Sequence, residues 1–477
     1  MSSLEERAPL VAAVLAARAR EMQPLQIPGH KWRYQDGATD VVGFDLLHTL
    51  VRDDVPLQGG ADDNAFSGRV LACAEELYAE AIGADHTRFL VGGSSQGNIA
   101  ALLTVAGDDQ AVAVDRTSHR SALSGLVLSG AVPQWIYPDI HPEFGIPVGM
   151  PVAALEGINA EAVFVTSPAY VGTMTNIGTL AAACHAADRT LVVDQAWGAH
   201  FDFGVGGYVG ALQAGADIAV TSVHKALLGY SQTATISCRG NRVDMHRFNR
   251  SVDATATTSP SATLLASIDA TRMVMQEFGS DAIGQAVETT REARRILASV
   301  SGVVVFDEAS LGCVVDPLKI ALWLPRAGCT GVELAEALWR EGHGVESADN
   351  DTLVMTVSLV DERDVVIGIA TKLAGMIEKM RGASRSGMPS AVWSIRPEVV
   401  MSPRTATFAP RRRVALGDAV GEISAEQFCP YPPGVPLIGP GERVTEEVVA
   451  AIEMAGRVGR VAYNSDATLK TIEVVAS

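Results

Sequence analysis

The chain has 477 residues, 48% hydrophobic and 19% charged, with a formal net charge of -18 from 37 Lys+Arg against 55 Asp+Glu. That length and apolar content allow a large buried core in more than one domain, and so acidic a field disfavours gripping nucleic acid or an anionic membrane surface. The six cysteines (Cys73, Cys184, Cys238, Cys313, Cys329 and Cys429) form no C-x-x-C pair, so free thiols are expected, with neither disulfides nor a metal site.

The N-terminal stretch "MSSLEERAPLVAAVLAARAREMQ" reads as an amphipathic arm helix. Its apolar run is too short, and too soon broken by arginines, for a signal peptide or a membrane span, and a cytoplasmic protein is expected. From about residue 70 helix-like and strand-like segments alternate. "VLACAEELYAEAIGA" leads to "FLVG", then come "IAALLTVA", "AVAVD", "GAVPQWIYP", "AVFVTSP", "TLAAACHAAD", "TLVVDQA" and "DIAVTSVHK". The strand segments are short, β-branched and continuously apolar, as expected when helices cover both faces. This alternation predicts a doubly wound, mainly parallel α/β sheet. Beyond residue 300, "GVVVFDE", "LKIALWL", "GVELAEALWREGHGV" and "TLVMTVSL" predict a smaller α+β domain. The expected organisation is an arm (1–40), a large domain (41–300), a small domain (301–380), a linker (381–394) around "RGASRSGMPS", and a C-terminal domain (395–477) carrying "CPYPPGVPLIGPGE".

In such sheets ligands bind beyond the carboxyl ends of the strands. Ser94, Ser95, Ser118, His119, Ser167, Asp194, His224 and Lys225 all fall there. Gly93 to Gly97 spells G-x-S-x-G, which fits either a nucleophilic Ser95 in a serine hydrolase or a helix start that cups a phosphate. The hydrolase reading lacks a suitably placed late histidine, since only His343 follows His246. The second reading uses more residues together. A lysine at the end of a buried strand is ordinarily solvated, yet Lys225 held in a partly apolar pocket can form a Schiff base. Asp194 can cap a turn or bond a protonated pyridine nitrogen, and His119 can be structural or stack on a flat ring. Ser222 adds a hydroxyl to the phosphate cup.

Taken together, "IPGHK" (27–31), "GGSSQGN" (92–98), "DRTSHRSALSGLVLSGAVP" (115–133), "TSPAYVG" (166–172), "DQAWGAHF" (194–201), "SVHK" (222–225), "TTSPSATLLASID" (257–269) and "AEQFCPYPPGVPLIGPGER" (425–443) resemble the ornithine/lysine/arginine decarboxylases. These are pyridoxal phosphate (PLP) enzymes of fold type I, and the resemblance is to their short form, for which no N-terminal receiver-like domain is expected. The resemblance implies PLP-dependent decarboxylation of arginine, lysine or ornithine by a homodimer or larger assembly with its site at the interface. It implies Lys225 as the lysine that carries the cofactor, Asp194 on the pyridine nitrogen and His119 on the ring face. Gly93, Ser94, Ser95, Ser222 and His224 then surround the phosphate, with Ala196 and Trp197 beside the ring. The resemblance further implies that Lys225 or His224 returns a proton to the substrate Cα; it makes Glu426 the candidate for the cationic end of the substrate, a surface glutamate being the alternative, and offers Trp197 as either pocket lining or core. Three positions depart from the family pattern: Ile27 and Ala169, where threonine is common, and Ala262, where an aromatic is usual. These make transamination or oxidative deamination of a basic amino acid a second reading.

Overall fold

The computed structural model describes residues 3–20, 28, 53–58, 60–62, 69–204, 207–388, 390–431, 434–457 and 461–476. Ile27 and most of "IPGHK" therefore lie outside the described residues. The expected arm helix is two helices, Leu4–Arg7 and Pro9–Ala19, the first started by a Ser3/Glu6 capping box and the second by its proline. Leu10 and Val14 are buried, and the Leu10 N–H donates to Asp269 at 3.0 Å, which docks the arm on the helix Ala262–Val274.

The central sheet contains β1 (His86–Leu90), β2 (Ala111–Asp115) and β3 (Val132–Ile136). A short hairpin, β4 (Asp139–Ile140) and β5 (Pro147–Gly149), stands apart from it. The sheet continues with β6 (Ala162–Thr166), β7 (Thr190–Asp194), β8 (Ile218–Ser222) and β9 (Ala234–Cys238). Its order is β1-β9-β8-β7-β6-β2-β3. The five strands from β8 to β3 are parallel, whereas β9 runs antiparallel to β8 and to β1. Alternate residues feed two cores: Val163, Val165, Leu191 and Val193 enter one, while Ala162, Phe164, Val192 and Val220 enter the other. That is the period-2 consequence of continuous apolar strands between helical layers.

Two strands differ from the sequence expectation. β1 begins at His86, before "FLVG", because an edge strand with one neighbour tolerates the polar His86 and Arg88. β9 went unread because "ATISC" mixes hydroxyl and apolar side chains without a helical crossover before it.

A second, four-stranded antiparallel sheet has the order β10 (Val304–Val305), β11 (Lys319–Trp323), β13 (Thr352–Thr356), β12 (Ser347–Ala348). The last segment pairs β14 (Arg411–Ala415) with β17 (Thr471–Val475) and β15 (Cys429–Tyr431) with β16 (Val461–Tyr463). It has a core of its own built on Trp393, Phe428, Leu437, Ile438 and Val474. Among the described residues, no helix is long and apolar enough to cross a membrane.

Candidate active site

The carboxyl ends of β1, β2, β6, β7 and β8 open on one edge of the central sheet, and the predicted site residues lie along it. After β1 the helix Gly93–Val105 starts at once, bringing Ser94 and Ser95 into its first turn, where backbone N–H groups have no intrahelical partner. The Gly93 N–H is tied to the Gln232 carbonyl at 2.8 Å. Gly97 lets this helix press on β8: a Cβ there would stand 2.5 Å from Val220 Cγ1. Ser222 ends β8 with its hydroxyl fully buried and without a partner among the described residues. A buried hydroxyl without a partner is costly, so the position calls for an acceptor or donor from a ligand.

Lys225 follows in the short helix Val223–Ala226, its Nζ 4.2 Å from the Trp197 ring centroid. Burial pushes its ammonium below the ordinary lysine value, against the opposing pull of the Asp194 and Glu346 carboxylates. His224 places Nδ1 2.8 Å from the Thr233 carbonyl, so Nδ1 carries the proton and Nε2 is left as acceptor.

A buried row of hydrogen bonds links the remaining groups. Asn98 Nδ2 donates to Asp194 Oδ2 at 2.7 Å and to Ser121 Oγ at 2.9 Å, and Ser121 Oγ lies 2.9 Å from His119 Nδ1. The Ser121 N–H also donates to His119 Nδ1 at 3.3 Å, so Nδ1 is the acceptor and Nε2 holds the proton. Burial, with the Lys225 and Arg120 cations adding to it, pushes the His119 imidazole down to about 4, and the ring is neutral at physiological pH. Asp194 Oδ1 accepts from the Ala196 N–H at 3.1 Å. Burial raises the Asp194 carboxyl above the ordinary range, while Lys225, Asn98 and Ala196 pull it back. Asn98 and Ser121 were missed in the sequence, although both lie inside stretches singled out there. Asn98 follows the polar first turn of its helix, so nothing local sets it apart from a solvent-facing residue.

The other expectations fare differently. Among the described residues Ser95 makes no hydrogen bond to a histidine: His119 Nδ1 meets Ser121, His200 Nε2 meets Asp316 at 3.1 Å and His224 Nδ1 meets the Thr233 carbonyl. Glu426, the candidate for the cationic end of the substrate, is hydrogen-bonded within the C-terminal segment. Its oxygens accept from the Ser465 N–H at 2.6 Å, Ser465 Oγ at 2.9 Å and the Glu473 N–H at 2.7 Å, which ties the C-terminal segment together. Besides Asp194, the acidic side chain whose charge bears on Lys225 is Glu346, just before β12. Ala262 is a core residue at a helix start, fully buried with its N–H on the Val55 carbonyl at 2.8 Å. Ala169 sits in a tight loop, its N–H on the Thr173 carbonyl at 2.8 Å.

A further buried acid underlies the site. Asp202 accepts from Gln195 Nε2 at 2.8 Å, and burial pushes its carboxyl up to about 7. Because the folded value lies above the unfolded one, the charged form costs stability from about pH 4 upward, and the full cost is reached above about pH 7. Asp202→Asn keeps an acceptor for Gln195. Its melting temperature is expected to exceed that of the wild type at pH 8, with the gap closing as pH falls toward 4; thermal unfolding across that range checks it.

The residues present fit pyridoxal phosphate. Ser222 and the Gly93–Ser95 helix start suit phosphate oxygens, Asp194 suits a protonated ring nitrogen, and the neutral His119 offers a flat face.

Sequence comparison decides the family. The profile of the Orn/Lys/Arg decarboxylase major domain matches residues 8–355, and that of the family's C-terminal domain matches residues 387–460. The chain belongs to the Orn/Lys/Arg decarboxylase family. With that family, it is an amino-acid decarboxylase. Among its relatives, the arginine decarboxylase of Halalkalibacterium halodurans is 33% identical, over 99% of this chain and 98% of that protein. The arginine decarboxylase of Bacillus subtilis is 29% identical over the same shares. In structure, this decarboxylase superposes on lysine decarboxylase A from Pseudomonas aeruginosa with a TM-score of 0.81 at 20% identity, covering 99% of this chain and 81% of that one. The E. coli constitutive lysine decarboxylase gives 0.79 at 20% identity, covering 99% and 82%. The architecture is thus the α/β fold of type I PLP enzymes.

Proposed function

We propose that the chain decarboxylates a basic amino acid, arginine first, with pyridoxal 5'-phosphate carried on Lys225. The observation that carries this reading is the buried row Asp194–Asn98–Ser121–His119 beside a lysine whose ammonium is destabilised by burial. When bound, the cofactor supplies an electron sink for the pair released as CO2 leaves. Asp194, oriented by Asn98 and the Ala196 N–H, holds a proton on the cofactor's ring nitrogen. His119 covers the ring face in its neutral form and keeps water from it. Ser222, Ser94 and Ser95 hold the phosphate. Lys225 Nζ or His224 returns a proton to the substrate Cα. The Glu346 charge beside Lys225 supports a substrate with a cationic far end, and the arginine preference follows the full-length relatives named for arginine. PLP use is supported further by the fold shared with a solved structure described as SPT with PLP (TM-score 0.52, 14% identity). A homodimer or larger homo-oligomer belongs to the same reading.

Incubation with arginine, lysine and ornithine, with CO2 and amine assayed against keto acid and peroxide, tests the reaction. CO2 with agmatine from arginine supports it. No CO2 from any of the three defeats it, and keto acid or peroxide in place of CO2 selects transamination or oxidative deamination. Ser222→Ala gives a two-sided prediction. Removing a partnerless buried hydroxyl should leave the cofactor-free chain equally or more stable, while PLP affinity falls by about tenfold for one lost phosphate contact. Calorimetry without PLP and absorbance titration with it check the two halves.

A further inference from the structure

His119 is held on two sides, and the second side comes from far along the chain. Ser121 takes Nδ1, as described above. The opposite edge of the ring meets Gly434 in the C-terminal segment: a Cβ built there would lie 3.1 Å from His119 Cδ2 and 3.0 Å from Tyr431 Cε2. Gly434 has φ +81°, a backbone conformation that side-chain-bearing residues rarely adopt. Its carbonyl accepts from the Arg120 N–H at 2.9 Å, which ties it to the residue next to His119.

The run that follows Gly434 is anchored to the end of β2. Arg116 Nη1 donates to the Pro436 carbonyl at 2.6 Å, and Nη2 donates to the Leu437 carbonyl at 3.0 Å and to Glu442 Oε2 at 3.2 Å. Glu442 Oε2 also accepts from the Gly439 N–H at 2.7 Å. Arg116 and Glu442 are 4% and 2% exposed, so this anchor is shielded from solvent and from salt. Its geometry is fixed by three backbone groups as well as by charge. A ring hydrogen-bonded at Nδ1 by one segment and flanked near Cδ2 by another is oriented before any ligand arrives.

We propose that Gly434 is a positioning residue for His119, and that the Arg116–Glu442 anchor holds it in place, so that the C-terminal segment forms part of the cofactor site. The proposal rests on the reading of His119 as the residue on the cofactor's ring face. A methyl group at position 434 would crowd the imidazole and the Tyr431 ring at 3.0–3.1 Å, and the shift of a few tenths of an ångström that relieves it falls in part on His119, loosening the face that the cofactor packs on.

The test compares Gly434→Ala with Gly421→Ala in the full chain. Gly421 lies in the same segment with φ +90°, is exposed and has nothing within 4 Å of a built Cβ, so it carries the same backbone strain without the contact. Histidine-selective NMR follows the His119 titration, which needs no cofactor, and absorbance titration follows PLP binding. Gly434→Ala is expected to raise the His119 pKa by about one unit toward the ordinary histidine value, as burial is relieved. It should weaken PLP binding about tenfold, while Gly421→Ala changes neither. Glu442→Gln, which loosens the anchor without adding bulk, should move His119 in the same direction by less and serves if Gly434→Ala does not fold. A His119 titration unchanged in both Gly434→Ala and Glu442→Gln, or shifted equally by Gly421→Ala, overturns the proposal. Wild-type protein that binds no PLP would instead overturn the cofactor reading, and the NMR comparison would still decide whether Gly434 positions His119.

Discussion

Lys225→Ala is expected to abolish borohydride-sensitive visible absorbance and to lower CO2 release by at least about 10²–10⁴-fold, the range for removing a group that also transfers protons. Two amines face the Trp197 ring: Lys225 at 4.2 Å and Lys319 at 3.7 Å from its centroid. Lys319 is fully buried and donates to Thr356 Oγ1 at 2.8 Å, and burial pushes its ammonium down to about 8. Its side chain is packed against Gly172, where a Cβ would stand 3.0 Å from Lys319 Cβ and Cγ, so it has little freedom to replace Lys225. Peptide mapping after borohydride reduction should therefore find the cofactor on Lys225 in the wild type and nowhere in the variant. Label on Lys319 in the wild type would reassign the role.

Asp194→Asn is the second large effect expected. The carboxylate accepts at both oxygens, from the Ala196 N–H and from Asn98 Nδ2. An amide in its place must turn its NH2 toward one of those two donors and can no longer stabilise a positive ring nitrogen. CO2 release is expected to fall by about 10²–10⁴-fold while PLP stays bound through the phosphate contacts. The sign on Lys225 is also fixed. The Asp194 charge holds that ammonium up against burial, so its loss lowers the Lys225 pKa further. Turnover under saturating PLP, with occupancy read by absorbance, separates loss of chemistry from loss of cofactor. Full activity in Asp194→Asn would remove the residue from the mechanism.

The parallel sheet was legible because strands buried on both faces must be apolar throughout. "AVFVT" and "TLVVD" therefore stand out, and the polar residue that ends each run marks the open edge. Lys225, Asp194, His119 and Ser222 were readable as strand-end residues for the same reason. Asn98 and Ser121 were not, because a polar side chain inside a helix looks alike whether it faces solvent or a buried carboxylate, and only packing distinguishes them. Glu426 stands in a recognisable motif, yet the sequence did not show that its carboxylate accepts from Ser465 and Glu473, partners 39 and 47 positions away.

The sequence by itself determined the alternation of elements, the edge where the chemistry collects and the residue types that collect there, since these follow from local hydrophobic pattern and strand-end polarity. Tertiary structure alone decided the insertion of β9 between β8 and β1, the row from Asp194 to His119, and the approach of Gly434 to His119 across 315 positions of chain. Those contacts join segments far apart in the chain, and their energy comes from burial and hydrogen bonding that exist only once the segments are packed.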